Sequence, residues 1–152
     1  MSPTLRKEIE DDLRRHEGVV NEIYVCTEGF KTLGVGHLLK KGDVEYDLPI
    51  GTQISEEVVE RYFKDDLNQA IKDTERLVDD LYNHPDNVVR VLVNMMFNLG
   101  ITKFAKFKKM LAAVNNQDYA TAGDEMRDSK WYGQVGRRSI ELVRLMEWCV
   151  YG

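Results

Sequence analysis

The stretch HEGVVNEIYVCTEGFKTLGVGH, residues 16–37, decides the fold class. It follows a charged segment that reads as a helix running to about Arg15. Thr4 or Ser2 can cap that helix, Pro3 stands at its start and Gly18 follows its end. The pattern then changes to β-branched and aromatic residues, which reads as two short strands over 22–27 and 31–36 around Glu28-Gly29. The loop length matters. A two-residue turn would set Val25 opposite Thr32 and send Cys26 and Thr32 to opposite faces. A three-residue loop of Thr27, Glu28 and a left-handed Gly29 sets Cys26 opposite Phe30 and Tyr24 opposite Thr32. Cys26 and Thr32 then share a face, because side-chain direction repeats every two residues. Gly34 and Gly36 follow Thr32 on that face and leave the backbone open to a bulky ligand.

Beyond this stretch, LKKGDVEYDLPIGTQ (39–53) is turn-rich and holds an expected third strand near 44–47. At Ser55 the pattern changes again. Ser55 is an N-cap, and Ile54 and Val59 form a hydrophobic staple. Val59, Phe63, Leu67, Ala70, Ile71, Thr74, Leu77, Val78 and Leu81 recur at three- and four-residue steps. They predict one amphipathic helix over about 55–81, roughly 40 Å long, stopped by His84-Pro85. A helix of that length in so small a protein is expected to connect two lobes. Asp86–Leu99 is apolar nearly all round and reads as a buried central helix ended by Gly100. Segments 104–115, 119–128 and 135–150 read as shorter amphipathic helices. The order of elements is that of an α+β protein.

Composition narrows the function classes. The 152 residues, 43% of them apolar, suit one domain with one core. The net charge of −5 is uneven: residues 1–99 carry 12 Lys/Arg and 20 Asp/Glu, and residues 100–152 carry 9 and 6. That balance does not describe a nucleic-acid binder, although the basic last third can face an acidic polymer. Cys26 and Cys149 make no disulfide framework and are expected as free thiols. The N-terminus shows no signal peptide. No apolar run approaches the ~20 residues of a membrane span, so no membrane insertion is expected. His16, His37 and His84 have no metal-ligand spacing with the cysteines, and neither a metal nor another cofactor is expected.

Glu17, Cys26 and Thr32 form the candidate catalytic set. Cleaving a glycosidic bond needs a proton donor for the leaving oxygen and a means of meeting the sugar cation with water. Glu17 can donate if burial keeps it protonated. Cys26 and Thr32 can hold the water. A thiol titrates near ~8.5 and is a base only in part at neutral pH, and a threonine hydroxyl is no base. Whether Cys26 activates water, orients it or attacks as a nucleophile stays open on sequence alone.

These residues resemble the phage-type lysozymes, the endolysin family. That family carries a Glu, eight residues, an Asp or Cys, five residues and a Thr, within a run matched by Glu17-Gly18, Tyr24, Cys26-Thr27-Glu28-Gly29, Thr32, Gly34 and Gly36-His37. NMMFNLG (94–100) and SKWYGQVGRRS (129–139) resemble its later segments. The resemblance implies a single lysozyme-like domain with a small N-terminal lobe at about 16–54 and a connecting helix at about 55–81. A helical lobe at about 82–152, with the first helix packed on it, completes that domain and closes a cleft. The implied activity is hydrolysis of the β-1,4 bond between N-acetylmuramic acid and N-acetylglucosamine in peptidoglycan. Glu17 takes the general-acid position, Cys26 the water-activating position and Thr32 the position that orients the nucleophile. Leu38, Phe97 and Asn98 fall at substrate-binding positions, with Arg138 and His37 in support. The resemblance also implies a monomer that accumulates in the host cytoplasm and reaches periplasmic peptidoglycan strands with the help of a separate holin-type protein. Two features depart from the common pattern: Cys26 replaces the aspartate of many members, and the chain is acidic where the family is ordinarily basic.

Three rival functions make different demands. A lytic transglycosylase would replace water with the sugar's own 6-hydroxyl and leave a 1,6-anhydro end. A cysteine hydrolase would need the His37 imidazole within reach of the Cys26 thiol. A non-catalytic wall-binding protein would not need the Glu17/Thr32 pair.

Overall fold

The computed structural model describes residues 1–151. The Ser2 hydroxyl accepts a hydrogen bond from the Leu5 N–H at 3.1 Å and so starts helix α1, Pro3–Glu17. Strands β1 (Val20–Val25), β2 (Lys31–Gly34) and β3 (His37–Leu38) form an antiparallel sheet in that order. Helix α2 spans Glu56–Leu77, and a 3₁₀ turn follows at Leu81–Asn83. The rest is helical: α3 (Asp86–Leu99), α4 (Ile101–Phe104), α5 (Lys108–Asn115), α6 (Tyr119–Arg127), α7 (Lys130–Gln134) and α8 (Arg137–Tyr151). Eight helices and one small sheet among the described residues make the α+β class read from the sequence.

The chain divides into two compact units, with the divisions inside α1 and α2. One is Glu10–Gln69, which holds the sheet and buries Leu13, Ile23, Leu33, Val35, Val59, Phe63 and Leu67. The other is Met1–Ile9 with the chain from Ala70 on. There α3 packs on α8, α8 on α6, and α6 on α5. Helix α3 buries Val88, Val89 and every residue from Val91 to Met96, as its apolar composition predicts.

Four expectations need correction. The third strand is not at 44–47. Lys31 Nζ donates to the Tyr46 and Leu48 carbonyls at 2.8 and 2.6 Å, and Glu45 turns inward to accept from the Tyr62 hydroxyl at 2.6 Å. This leaves a chain of turns, and the third strand is instead His37–Leu38. It arises because Gly34 and Gly36, at φ +63° and +62°, reverse the chain where one strand over 31–36 was expected. Helix α2 ends at Leu77 rather than near 81. Asp80 takes a left-handed conformation at φ 50°, which aspartate tolerates. The apolar spacing hides that break, since Val78 and Leu81 are both buried. The single helix expected over 104–115 is broken at 105–107, between α4 and α5, and a short helix not expected from the sequence, α7, precedes α8. The 3₁₀-type bonds from the Lys106 N–H to the Lys103 carbonyl and from the Phe107 N–H to the Phe104 carbonyl close that break, and Gly136 at φ 59° separates α7 from α8.

Candidate functional site

The β1–β2 hairpin closes through Thr27, Glu28 and Gly29. The Cys26 N–H donates to the Phe30 carbonyl and the Gly29 N–H to the Cys26 carbonyl, both at 2.9 Å, with Gly29 at φ 89°. Tyr24 therefore lies opposite Thr32, the register the three-residue loop requires. In the next pair Thr32 lies opposite Leu38. Tyr24, Thr32 and Leu38 thus make one row across three strands, and Cys26 shares their face by alternation. Thr32 is buried in this row, and Leu38 is half exposed.

Glu17 is the last residue of α1, which closes with the Gly18 N–H on the Arg14 carbonyl at 2.9 Å. Its half-buried carboxyl lies against Gly36, where a β-carbon would stand 2.5 Å from Oε1. The space at Gly34 is likewise filled, by Val59, whose Cγ1 would be 3.0 Å from an added β-carbon. These glycines do not hold the backbone open for a ligand, as the sequence suggested; the protein's own side chains occupy the space.

The electrostatics tie the set together. Burial of the Cys26 thiol opposes its ionisation. The Phe30 and Glu28 N–H groups and the Thr32 hydroxyl outweigh this and lower its pKa below the usual value. Thr32 Oγ1 also donates to the Phe30 carbonyl at 2.9 Å, so its single proton has two acceptors. Burial, then the Glu17 carboxyl, then Cys26, push the Tyr24 phenol above its ordinary pKa. Tyr24 is thus a neighbour of both groups that sequence reasoning passed over. Its place two residues before Cys26 on a strand was the available signal.

His37 is engaged on every side. Nδ1 meets Asp66 Oδ2 at 2.7 Å, Nε2 meets Asp43 Oδ2 at 3.0 Å, and the ring stacks on Tyr62 with centroids 4.1 Å apart. Neither nitrogen is left for a thiol, which removes the geometry a Cys26/His37 hydrolase needs. Burial favours the neutral ring, but the Asp66 and Asp43 contacts outweigh it and raise the His37 pKa above 6.5. A folded-state pKa above the unfolded one stabilises fully below the unfolded value and fades as pH rises through the folded one. His37→Gln is therefore expected to lose about 2 kcal/mol near pH 5.5, the scale of hydrogen bonds to charged groups. Its Tm deficit against wild type should shrink as pH is raised well above 6.5. A deficit constant with pH would mean that the imidazolium contributes nothing.

In the helical unit, Asn98 and Phe97 are half-buried on α3, and Asn98 Oδ1 accepts from Trp131 Nε1 at 2.9 Å. Arg138 is buried, and its Nε donates to Asn94 Oδ1 at 2.9 Å, tying α8 to α3. Glu17, Cys26, Thr32, Leu38 and His37 thus gather in one unit, and Phe97, Asn98 and Arg138 in the other.

Residues 14–145 match the phage lysozyme family. The probable T4-type lysozyme 2 of Dictyostelium discoideum is 30% identical over 158 residues, covering 91% of this chain and 93% of that protein. The pre-baseplate central spike protein Gp5 of Enterobacteria phage T4 is 28% identical over 88% of this chain and 26% of its own length. The peptidoglycan hydrolase gp36 of Pseudomonas phage phiKMV is 25% identical over 89% of this chain and 14% of its own.

Proposed function

Because the chain belongs to the phage lysozyme family, we propose that Glu17, Cys26 and Thr32 carry out its hydrolysis of peptidoglycan. The protein is a glycoside hydrolase of the lysozyme type, and peptidoglycan is its substrate. The finer reading is a muramidase, cutting the β-1,4 bond from N-acetylmuramic acid to N-acetylglucosamine. Glu17 protonates the leaving oxygen. Thr32 orients a water, and Cys26 takes its proton as the water attacks the anomeric carbon. Leu38, Phe97 and Asn98 line the bound glycan, and Arg138 and His37 act in support. The observation that carries this reading is the hairpin register, which sets Tyr24 opposite the buried Thr32 and puts Cys26 on the same face. The lowered Cys26 pKa is in keeping with the thiolate form a base requires.

An endolysin role is part of the proposal: a monomer accumulating in the host cytoplasm and released to the periplasm by a holin-type protein. No helix among the described residues is long and apolar enough to cross a membrane. The relatives include a spike protein as well as proteins named lysozymes, so family membership supports the chemistry more directly than the lysis role.

Digestion of purified peptidoglycan, followed by mass analysis of the sugar ends, tests the reaction. Hydrolysis adds one water per cut; 1,6-anhydro ends would replace this reading with transglycosylation. In the same assay Cys26→Asp should retain substantial activity, Cys26→Ala should lose most of it, and Cys26→Ser should fall between. If the thiolate is the base, activity rises with pH through the thiol's lowered pKa, and that limb moves to lower pH in Cys26→Asp. An active Cys26→Ala beside an inactive Cys26→Asp would mark position 26 as structural.

A further inference from the structure

The three residues assigned to the reaction leave no neutral hydrogen-bond donor free for the glycan. A Cys26 thiolate only accepts. The Thr32 hydroxyl directs its single proton to the Phe30 carbonyl at 2.9 Å or to the Cys26 sulfur, so towards a bound molecule it accepts as well. The Glu17 proton goes to the leaving oxygen. Tyr24 has the missing donor. It lies opposite Thr32 in the hairpin and shares the face of Cys26 by alternation. Its side chain is half-buried. Among the described residues its hydroxyl has no hydrogen-bond partner, and no buried side-chain oxygen lacks one, so the hydroxyl opens to solvent. Burial, then Glu17, then Cys26 raise the phenol's pKa, so it keeps its proton and stands within electrostatic reach of both reacting groups.

We propose that Tyr24 is a further substrate-contacting residue of this site, its O–H donating to the amide carbonyl of a 2-acetamido group on the sugars at the scissile bond. The inference rests on the assignment of Glu17, Cys26 and Thr32 above and extends it by one residue. The chemistry of the acceptors selects the partner. The attacking water is excluded. Cys26 and Thr32 accept its two protons, and a donor on its lone pair would compete with the anomeric carbon for that pair. The glycan itself offers ether oxygens, hydroxyls and amide carbonyls. Ether oxygens are weak acceptors, and hydroxyls can donate to one another. An amide carbonyl cannot donate, and taking one out of water without a donor is costly. A rigid phenol on the strand beside the reacting groups meets that need without an added charge.

The test is a cycle between protein and substrate. Tyr24→Phe removes the O–H and keeps the ring. Partial N-deacetylation of purified peptidoglycan removes the acetyl groups and leaves the amides of the peptide stems. Initial rates of hydrolysis at low substrate are measured for wild type and variant on both walls, with Tm checked. On native walls Tyr24→Phe should lose about ten-fold, the upper end of what one neutral hydrogen bond contributes. That loss should shrink towards none as acetyl content falls, because each change removes one partner of the same contact. An equal loss on both walls would mean that the hydroxyl serves the fold or another group, and would overturn the proposal. So would a wild-type rate of Tyr24→Phe on native walls. Failure of the catalytic assignment shows elsewhere, as near-wild-type clearance by Glu17→Gln, and the cycle reads the Tyr24 contact in either case.

Discussion

Glu17→Gln is expected to lower the rate of peptidoglycan hydrolysis by at least about 100-fold, the lower end of what a general acid contributes, while leaving the fold intact. Glutamine keeps the shape of the side chain and removes only the transferable proton. Shape matters here because the carboxyl fits against Gly36, leaving no room for a β-carbon. A larger or branched replacement would confound lost chemistry with lost packing. Turbidity clearance of purified cell walls gives the rate, and thermal denaturation gives the stability. A variant with wild-type Tm and near-wild-type clearance would remove Glu17 from the mechanism, whatever the family pattern implies. A low rate with a much lowered Tm would instead say that position 17 supports the hairpin.

The readable parts of this structure were those set by local rules. Helix α3 begins at Asp86 after Pro85 and ends at Gly100, both visible as breakers around an apolar run. The hairpin register was one of two the sequence allowed; the demand that Cys26 and Thr32 share a face pointed to the three-residue loop, and the structure closes it with Gly29 in the left-handed conformation. What escaped was decided by partners distant in sequence. Nothing near His37 announces that Asp66, 29 positions away, and Asp43 will take both of its nitrogens. Nothing in the turn-rich 39–53 segment says that Lys31 will claim two of its carbonyls and so exclude a strand there. The Gly-x-Gly spacing was visible, but its meaning was not. An absent side chain looks the same in sequence whether the space is kept for a ligand or for a neighbour.

That ambiguity makes Gly36→Ala the informative companion to the Glu17 variant. Gly34 and Gly36 sit at nearly the same positive φ, so alanine brings each about the same backbone strain, roughly 1–2 kcal/mol. They differ in what the new methyl meets. At Gly34 it presses on Val59, a β-branched side chain that is 2% exposed and has little freedom to yield. At Gly36 it meets the end of a flexible glutamate, which can swing aside. Gly34→Ala should therefore lose more stability than activity. Gly36→Ala should show the reverse, with hydrolysis falling by about 100-fold, since misplacing a catalytic group by about 1 Å can cost that much. The decisive measurement is the double variant. If Gly36→Ala acts by displacing the acid, adding it to Glu17→Gln should reduce hydrolysis little further, because the two changes remove the same contribution. Full multiplication of the two losses would mean that Gly36 serves the site by some route other than seating Glu17. A wild-type rate in Gly36→Ala would mean that the carboxyl does its work from a different position than the one it holds against the turn.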